Sequence, residues 1–173
     1  LESGRIDCVW NGMSISPSRA EAMNLSDPYM ENEMIFVVPS DSDIKSLDDI
    51  KGKTVAVQLG STAEEILANA DFANDITTTP LEDNVTALQQ LELGFSDAVF
   101  MDSVVANYLI TSEGKDFVIL PEGLEKEEYA IGFRKGDQAL RDEVQNTLSE
   151  LKADGTLGEI STKWFGSDIT TVK

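Results

Sequence analysis

The sequence predicts an α/β fold. Short runs rich in β-branched and aromatic residues, such as Met34-Ile-Phe-Val-Val38 and Asp97-Ala-Val-Phe-Met101, read as strands. Between them lie stretches whose apolar residues recur at helical spacing, the clearest being Leu140, Val144, Leu148 and Leu151. Strands alternating with helices imply a largely parallel sheet covered by helices.

The elements follow in order. Ile6–Trp10 reads as a strand, and Ser18–Met23 as a short helix after Pro17. Glu33–Val38 is a strand, followed by a polar crossing at Ser40–Asp43. Ser46 caps a short helix that Gly52 ends. Thr54–Gln58 is β-rich, Gly60 breaks it, and Ser61-Thr-Ala-Glu64 fits a capping box opening the next helix. Val85, Leu88 and Leu91 form a helical stripe closed by Gly94. The strand at Asp97–Met101 leads directly into a helix through Val105 and Leu109. Phe117–Leu120 and Tyr129–Phe133 are further strands. The long amphipathic helix ends at Gly155, and a last short helix carries Trp164 and Phe165.

Composition narrows the function. Hydrophobic residues make up 41% of the 173 and charged residues 26%, a globular balance. No apolar run approaches a membrane span. The formal net charge of −19 repels nucleic acid and anionic lipid, so no nucleic-acid partner is expected. The absence of histidine removes His-based triads, most zinc sites and the commonest general base. No metal, cofactor or catalytic residue is expected. The single cysteine, Cys8, lies in a strand-like run and reads as a buried structural thiol. Leu1-Glu-Ser-Gly-Arg-Ile6 carries no initiating Met or signal segment and reads as a helix end entering a strand, so the natural N-terminus is expected upstream.

Three places put polar groups where open α/β sheets bind ligands. In Trp10-Asn-Gly-Met-Ser-Ile-Ser-Pro-Ser-Arg19, the backbone of Asn11, Gly12 and Ser14 beside the Arg19 guanidinium suits a carboxylate, which arginine grips in a fork. Alone, the segment reads better as a Ser/Pro turn with a surface arginine. In Gln58-Leu-Gly-Ser-Thr-Ala-Glu64, a helix N-terminus with Thr62 suits an anion, although a plain βα turn capped by Ser61 also explains it. In Asp97–Asp102, the terminal carboxylate suits an ammonium group and serves equally as a helix N-cap. Together, Arg19 and Thr62 for a carboxylate and Asp102 for an amine outline a zwitterionic α-amino acid.

The chain resembles the polar amino-acid-binding proteins of ABC transporters, solute-binding family 3. The likeness rests on Gly4-Arg-Ile-Asp7, Gly12-Met-Ser-Ile-Ser-Pro-Ser-Arg19, Leu25-Ser-Asp-Pro-Tyr29, Leu47-Asp-Asp-Ile-Lys-Gly-Lys-Thr-Val55 with Gly60-Ser-Thr62, Leu91-Glu-Leu-Gly-Phe-Ser-Asp-Ala-Val99, Lys152-Ala-Asp-Gly-Thr156 and Lys163-Trp-Phe-Gly166, in that order. Leu25 stands where the family usually has Phe. The resemblance implies a two-lobed, periplasmic-binding-protein-like (type II) fold that closes on its ligand. Lobe 1 would comprise residues 1–39 and 132–173, and lobe 2 residues 40–131. Lobe 1 would lack the family's initial strand, helix and second strand. It further implies ligand contacts from Asn11, Gly12, Ser14, Arg19, Gln58, Ser61, Thr62 and Asp102, with Trp10 a core residue ahead of them. The implied partners are a free, polar L-amino acid and an ABC membrane permease. The implied location is extracytoplasmic, in a periplasm or at the cell surface as a lipoprotein. Because an incomplete lobe exposes sheet edges, self-association or strand exchange is expected. Two other readings share the scaffold: a cyclohexadienyl (arogenate or prephenate) dehydratase with Asp102 as acid, and a ligand-binding sensor domain. Trp10-Asn-Gly12 resembles binders of cystine and other polar amino acids.

Overall fold

The computed structural model describes the backbone of residues 1–173 and all side chains except those of residues 111–113. Two compact units emerge. Unit 1 comprises residues 1–32 and 127–173, and unit 2 residues 33–126.

Unit 2 is built on a sheet of β3 (Met30–Pro39), β4 (Thr54–Gln58), β5 (Thr77–Leu81), β6 (Ala98–Asp102) and β7 (Phe117–Ile119), in the order β5-β4-β6-β3-β7. A further strand, β8 (Glu125–Tyr129), pairs with β3. Helices α2 (Thr62–Asn69), α3 (Asn84–Glu92) and α4 (Ser103–Glu113) join the strands. Side chains alternate across the pleat, so neighbouring residues enter opposite cores. Met34, Phe36, Val38, Val55, Val57, Ala98 and Phe100 pack with Leu67 of α2. Ile35, Val37, Ala56, Val99 and Met101 pack with Leu88 and Leu91 of α3 and Ala106 of α4. Both faces are covered, which is why the central strands read as unbroken apolar runs.

The sheet is mixed rather than largely parallel. β4 runs parallel to β5 and β6, whereas β3 is antiparallel to β6 and β7. Strand-helix alternation holds from β4 to α4 and gives the parallel part; β3 joins outside that series. Two strands had no sequence signal. β5 contains Pro80 and three threonines, and it is tolerated because it lies at the sheet edge. β8 is largely charged and is fixed by its pairing with β3.

Unit 1 holds a small antiparallel sheet of β1 (Cys8–Val9), β9 (Gly132–Phe133) and β2 (Asn24–Leu25), in the order β1-β9-β2. The expected strand at Ile6–Trp10 shrinks to two residues. The expected strand at Tyr129–Phe133 divides between the end of β8 and β9. Helices α1 (Pro17–Ala22), α5 (Gln138–Ala153) and α6 (Thr156–Phe165) complete the unit. Its core gathers Ile131, Phe133, Leu148 and Val172. Cys8 packs beside this core half-buried, more open than the buried thiol expected from its apolar neighbours.

Candidate functional site

In unit 1 the candidate residues follow β1 as one braced segment. The Asn11 side-chain oxygen accepts the Gly12 N–H at 2.8 Å, and the Asn11 carbonyl accepts the Tyr29 hydroxyl at 3.0 Å. Burial raises the Tyr29 phenol to about 12, partly offset by a hydrogen bond from Trp10. Gly12 lies over the Tyr129 ring: a Cβ there would meet ring atoms at 3.2–3.3 Å. Beyond it, Ala130 N–H bonds Met13 O, and Ile15 N–H bonds Glu128 O, both at 3.0 Å.

Ser16 caps α1, accepting the Arg19 N–H at 3.3 Å, with Pro17 in the first turn. The cap points the Arg19 side chain back along the segment, where Nη1 donates to Ser14 O at 2.8 Å. Arg19 is half-buried, yet among the described residues no carboxylate pairs with it. By contrast, Arg134 binds Asp7 and Asp137, and Arg141 binds Asp27 and Asp142. Asp and Glu total 32 residues against 13 Lys and Arg, so acids are plentiful. The guanidinium is oriented but not neutralised.

Sequence reasoning missed Glu127. Its Oε2 accepts the Ser14 hydroxyl at 2.6 Å and the Asn32 amide at 3.3 Å. Nothing in the run Glu125-Lys-Glu-Glu128 singles it out; only the strand alternation that pairs it with Tyr129 would have done so. Trp10, expected in the core, is 53% exposed and meets Tyr29 edge-on at 6.2 Å.

In unit 2 the remaining candidates gather at the carboxyl ends of the neighbouring strands β4 and β6. Val57 pairs with Phe100 across the parallel β4/β6 ladder, so the turn after Gln58 and the end of β6 at Asp102 lie together. Gly60 takes φ +70, which the turn requires. Ser61 donates to Gln58 O at 2.6 Å and accepts the Glu64 N–H at 3.2 Å, capping α2. The Glu64 carboxylate reaches Gly60 N–H at 2.6 Å, one residue earlier than the reciprocal bond of the expected capping box. Thr62, the first residue of α2, is buried. Asp102 is half-buried at the N-cap of α4 and makes no side-chain capping bond. Gln58 reaches Glu82 O at 3.5 Å, a weak contact. Among the described residues no group of three or more metal-ligating side chains is gathered.

The model of the bacterial extracellular solute-binding proteins, family 3, matches residues 1–167. The chain belongs to this family. It is 34% identical over 172 residues to an L-cystine-binding protein of Escherichia coli (strain K12), covering 98% of this chain and 64% of that protein. It is 37% identical to an L-cystine-binding protein of Bacillus subtilis (strain 168), covering 98% of this chain and 62% of that one. The chain thus spans just under two thirds of these relatives' length. Among solved structures, an ABC uptake transporter substrate-binding protein from Streptococcus pneumoniae with bound histidine matches at TM-score 0.87 and 36% identity, covering 99% of this chain and 72% of that one. Tv2483 bound to L-arginine matches at TM-score 0.91 and 25% identity, covering 99% and 71%. The fold is the periplasmic-binding-protein-like α/β fold these structures share.

Proposed function

We propose that the chain belongs to the extracytoplasmic substrate-binding component of an ABC importer, which captures a free polar amino acid and delivers it to a membrane permease. Arg19 takes the ligand carboxylate with help from Thr62 and the Asn11–Ser14 segment, and Asp102 takes the ammonium. Gln58 and Ser61 shape the turn that presents Thr62. The observation carrying this reading is Arg19, held by Ser14 O and left without an acidic partner where acids abound. A charge of that kind is stabilised when an anionic ligand completes it. No bond is made or broken, so the amino acid is recovered unchanged. Arogenate and prephenate are likewise expected to survive incubation; their conversion would replace the receptor with a dehydratase.

The test is calorimetry on the full-length protein against the common amino acids and cystine. A ligand at 100 times its Kd stabilises the fold by about 2.7 kcal/mol. Arg19→Ala removes a fork of two charge-assisted bonds, worth about 1.5–3 kcal/mol each, so affinity is expected to fall roughly 10²- to 10⁴-fold. Failure of every amino acid to bind the unaltered protein would sink the reading.

A further inference from the structure

We propose that Glu127 is a positioning residue for the ligand carboxylate: it fixes Ser14, and through Ser14 it aims the Arg19 guanidinium. The inference rests on the amino-acid-binding reading and deepens it.

Ser14 is buried and is shared between two charged side chains. Its hydroxyl donates to Glu127 Oε2 at 2.6 Å, and its carbonyl accepts Arg19 Nη1 at 2.8 Å. The same Oε2 accepts Asn32 Nδ2 at 3.3 Å, and Asn32 is buried too. Glu127 itself is half-buried, and among the described residues no lysine or arginine pairs with it. A half-buried carboxylate without a cation is costly. What it supplies here is a short, charge-assisted bond to the Ser14 hydroxyl, stronger than a neutral acceptor makes.

The backbone shows why that bond matters to Arg19. Ala130 N–H donates to Met13 O and Ile15 N–H to Glu128 O, both at 3.0 Å, so main-chain pairing sets the register of residues 13–15 against residues 128–130. Tyr129 stands opposite Ser14 in an isolated bridge. The side-chain bond to Glu127 adds a further fixed point, at the very residue whose carbonyl holds the guanidinium. Arginine has a long, rotatable stem, and its planar fork grips a carboxylate well only when its plane is fixed. One end of Arg19 is fixed by Ser16, which accepts its N–H at 3.3 Å, and the other by Ser14 O. A buried hydroxyl deprived of its acceptor shifts toward a new one, and the carbonyl of the same residue moves with it. Glu127 thus acts on the ligand's anion through two successive hydrogen bonds, as an anchor rather than as a binding group.

Calorimetry of the full-length protein tests this with whichever of the common L-amino acids and L-cystine binds most tightly. Glu127→Ala should weaken that amino acid about 10-fold, the lower end for one charge-assisted hydrogen bond. Glu127→Gln keeps an acceptor oxygen and should stay within about threefold of the unaltered protein. Ser14→Ala removes the same bond from its other end and keeps the carbonyl. It should match Glu127→Ala, and the double variant should fall no more than about twofold below either single one. Additive losses would overturn the proposal, since Ser14 and Glu127 would then act separately. A loss in Glu127→Gln as large as in Glu127→Ala would overturn it too, because charge rather than the anchoring bond would set the affinity. So would a Glu127→Ala protein that melts earlier but keeps its affinity, the mark of a purely structural role. If Glu127→Ala does not fold, Ser14→Ala decides, and an unchanged affinity there overturns the proposal. Amino-acid capture stands in each of these cases; only failure of every amino acid to bind the unaltered protein removes both.

Discussion

Gly12→Ala isolates one contact. Gly12 has no positive φ, so alanine can adopt its backbone and only the added methyl matters. That methyl would lie 3.2 Å from Tyr129 Cζ and 3.3 Å from its Cε2 and hydroxyl. The ring must yield by a few tenths of an ångström, and it has little room. Tyr129 is buried, and its carbonyl accepts the Tyr29 N–H at 3.0 Å. Overpacking of this kind costs about 1–3 kcal/mol. For a chain of this size that lowers Tm by roughly 2–4 °C per kcal/mol. Gly132→Ala is the control. Its methyl would meet Met13 Cε and Met23 Sδ at 2.9 Å, closer still, but both are ends of flexible side chains that can turn aside. Calorimetric melts should therefore show a larger loss for Gly12→Ala than for Gly132→Ala. An unchanged Tm for Gly12→Ala, or a reversed order, would refute the argument that rigidity of the neighbour sets the cost.

Three further outcomes follow from the same structure. Leu67→Ala empties a fully buried position under β4 and β6, and urea titration should show a loss of about 2–5 kcal/mol. Tyr29, raised to about 12 by burial, keeps its proton in the folded state after the unfolded chain has lost it near 10. Its contribution is complete below pH 10 and is lost as pH rises toward 12, so Tyr29→Phe should flatten the alkaline fall in stability. Asp168, lowered to about 2 by hydrogen bonds from the Thr170 hydroxyl and N–H and by Lys152, behaves oppositely. Its contribution is complete above pH 3.8 and is lost as pH falls through about 2, so Asp168→Asn should flatten the acid limb measured by circular dichroism.

The parts of the fold legible in the sequence were those buried on both sides. β4 and β6 and the Leu88/Leu91 stripe of α3 announce themselves because these residues must satisfy an apolar core. β5 and β8 did not, since backbone pairing holds them and leaves their side chains free to be polar. Of the site, Arg19 was visible in the local run Trp10–Arg19, whereas its Ser16 cap emerged only from the structure. Glu127 was not. Its partners Ser14 and Asn32 are distant in sequence, and only the folded strands bring them together. The direction of Trp10 was hidden for a related reason: an apolar neighbourhood in sequence does not fix which way a residue turns after a two-residue strand.

The division of the chain into units has a consequence for the order of assembly. Unit 2 is one uninterrupted stretch, residues 33–126, whereas unit 1 needs both ends of the chain. Nucleation can proceed within the inserted stretch while the C-terminal helices are still being synthesised. Unit 1 must wait for the stretch from residue 127 onward, because β9 lies between β1 and β2 and completes their sheet. Once unit 2 has formed, it brings residues 32 and 127 near one another and removes most of the loop-closure entropy that joining the two ends would otherwise require. Interruptions of the insert should therefore retard unit 1 even where they touch none of its residues.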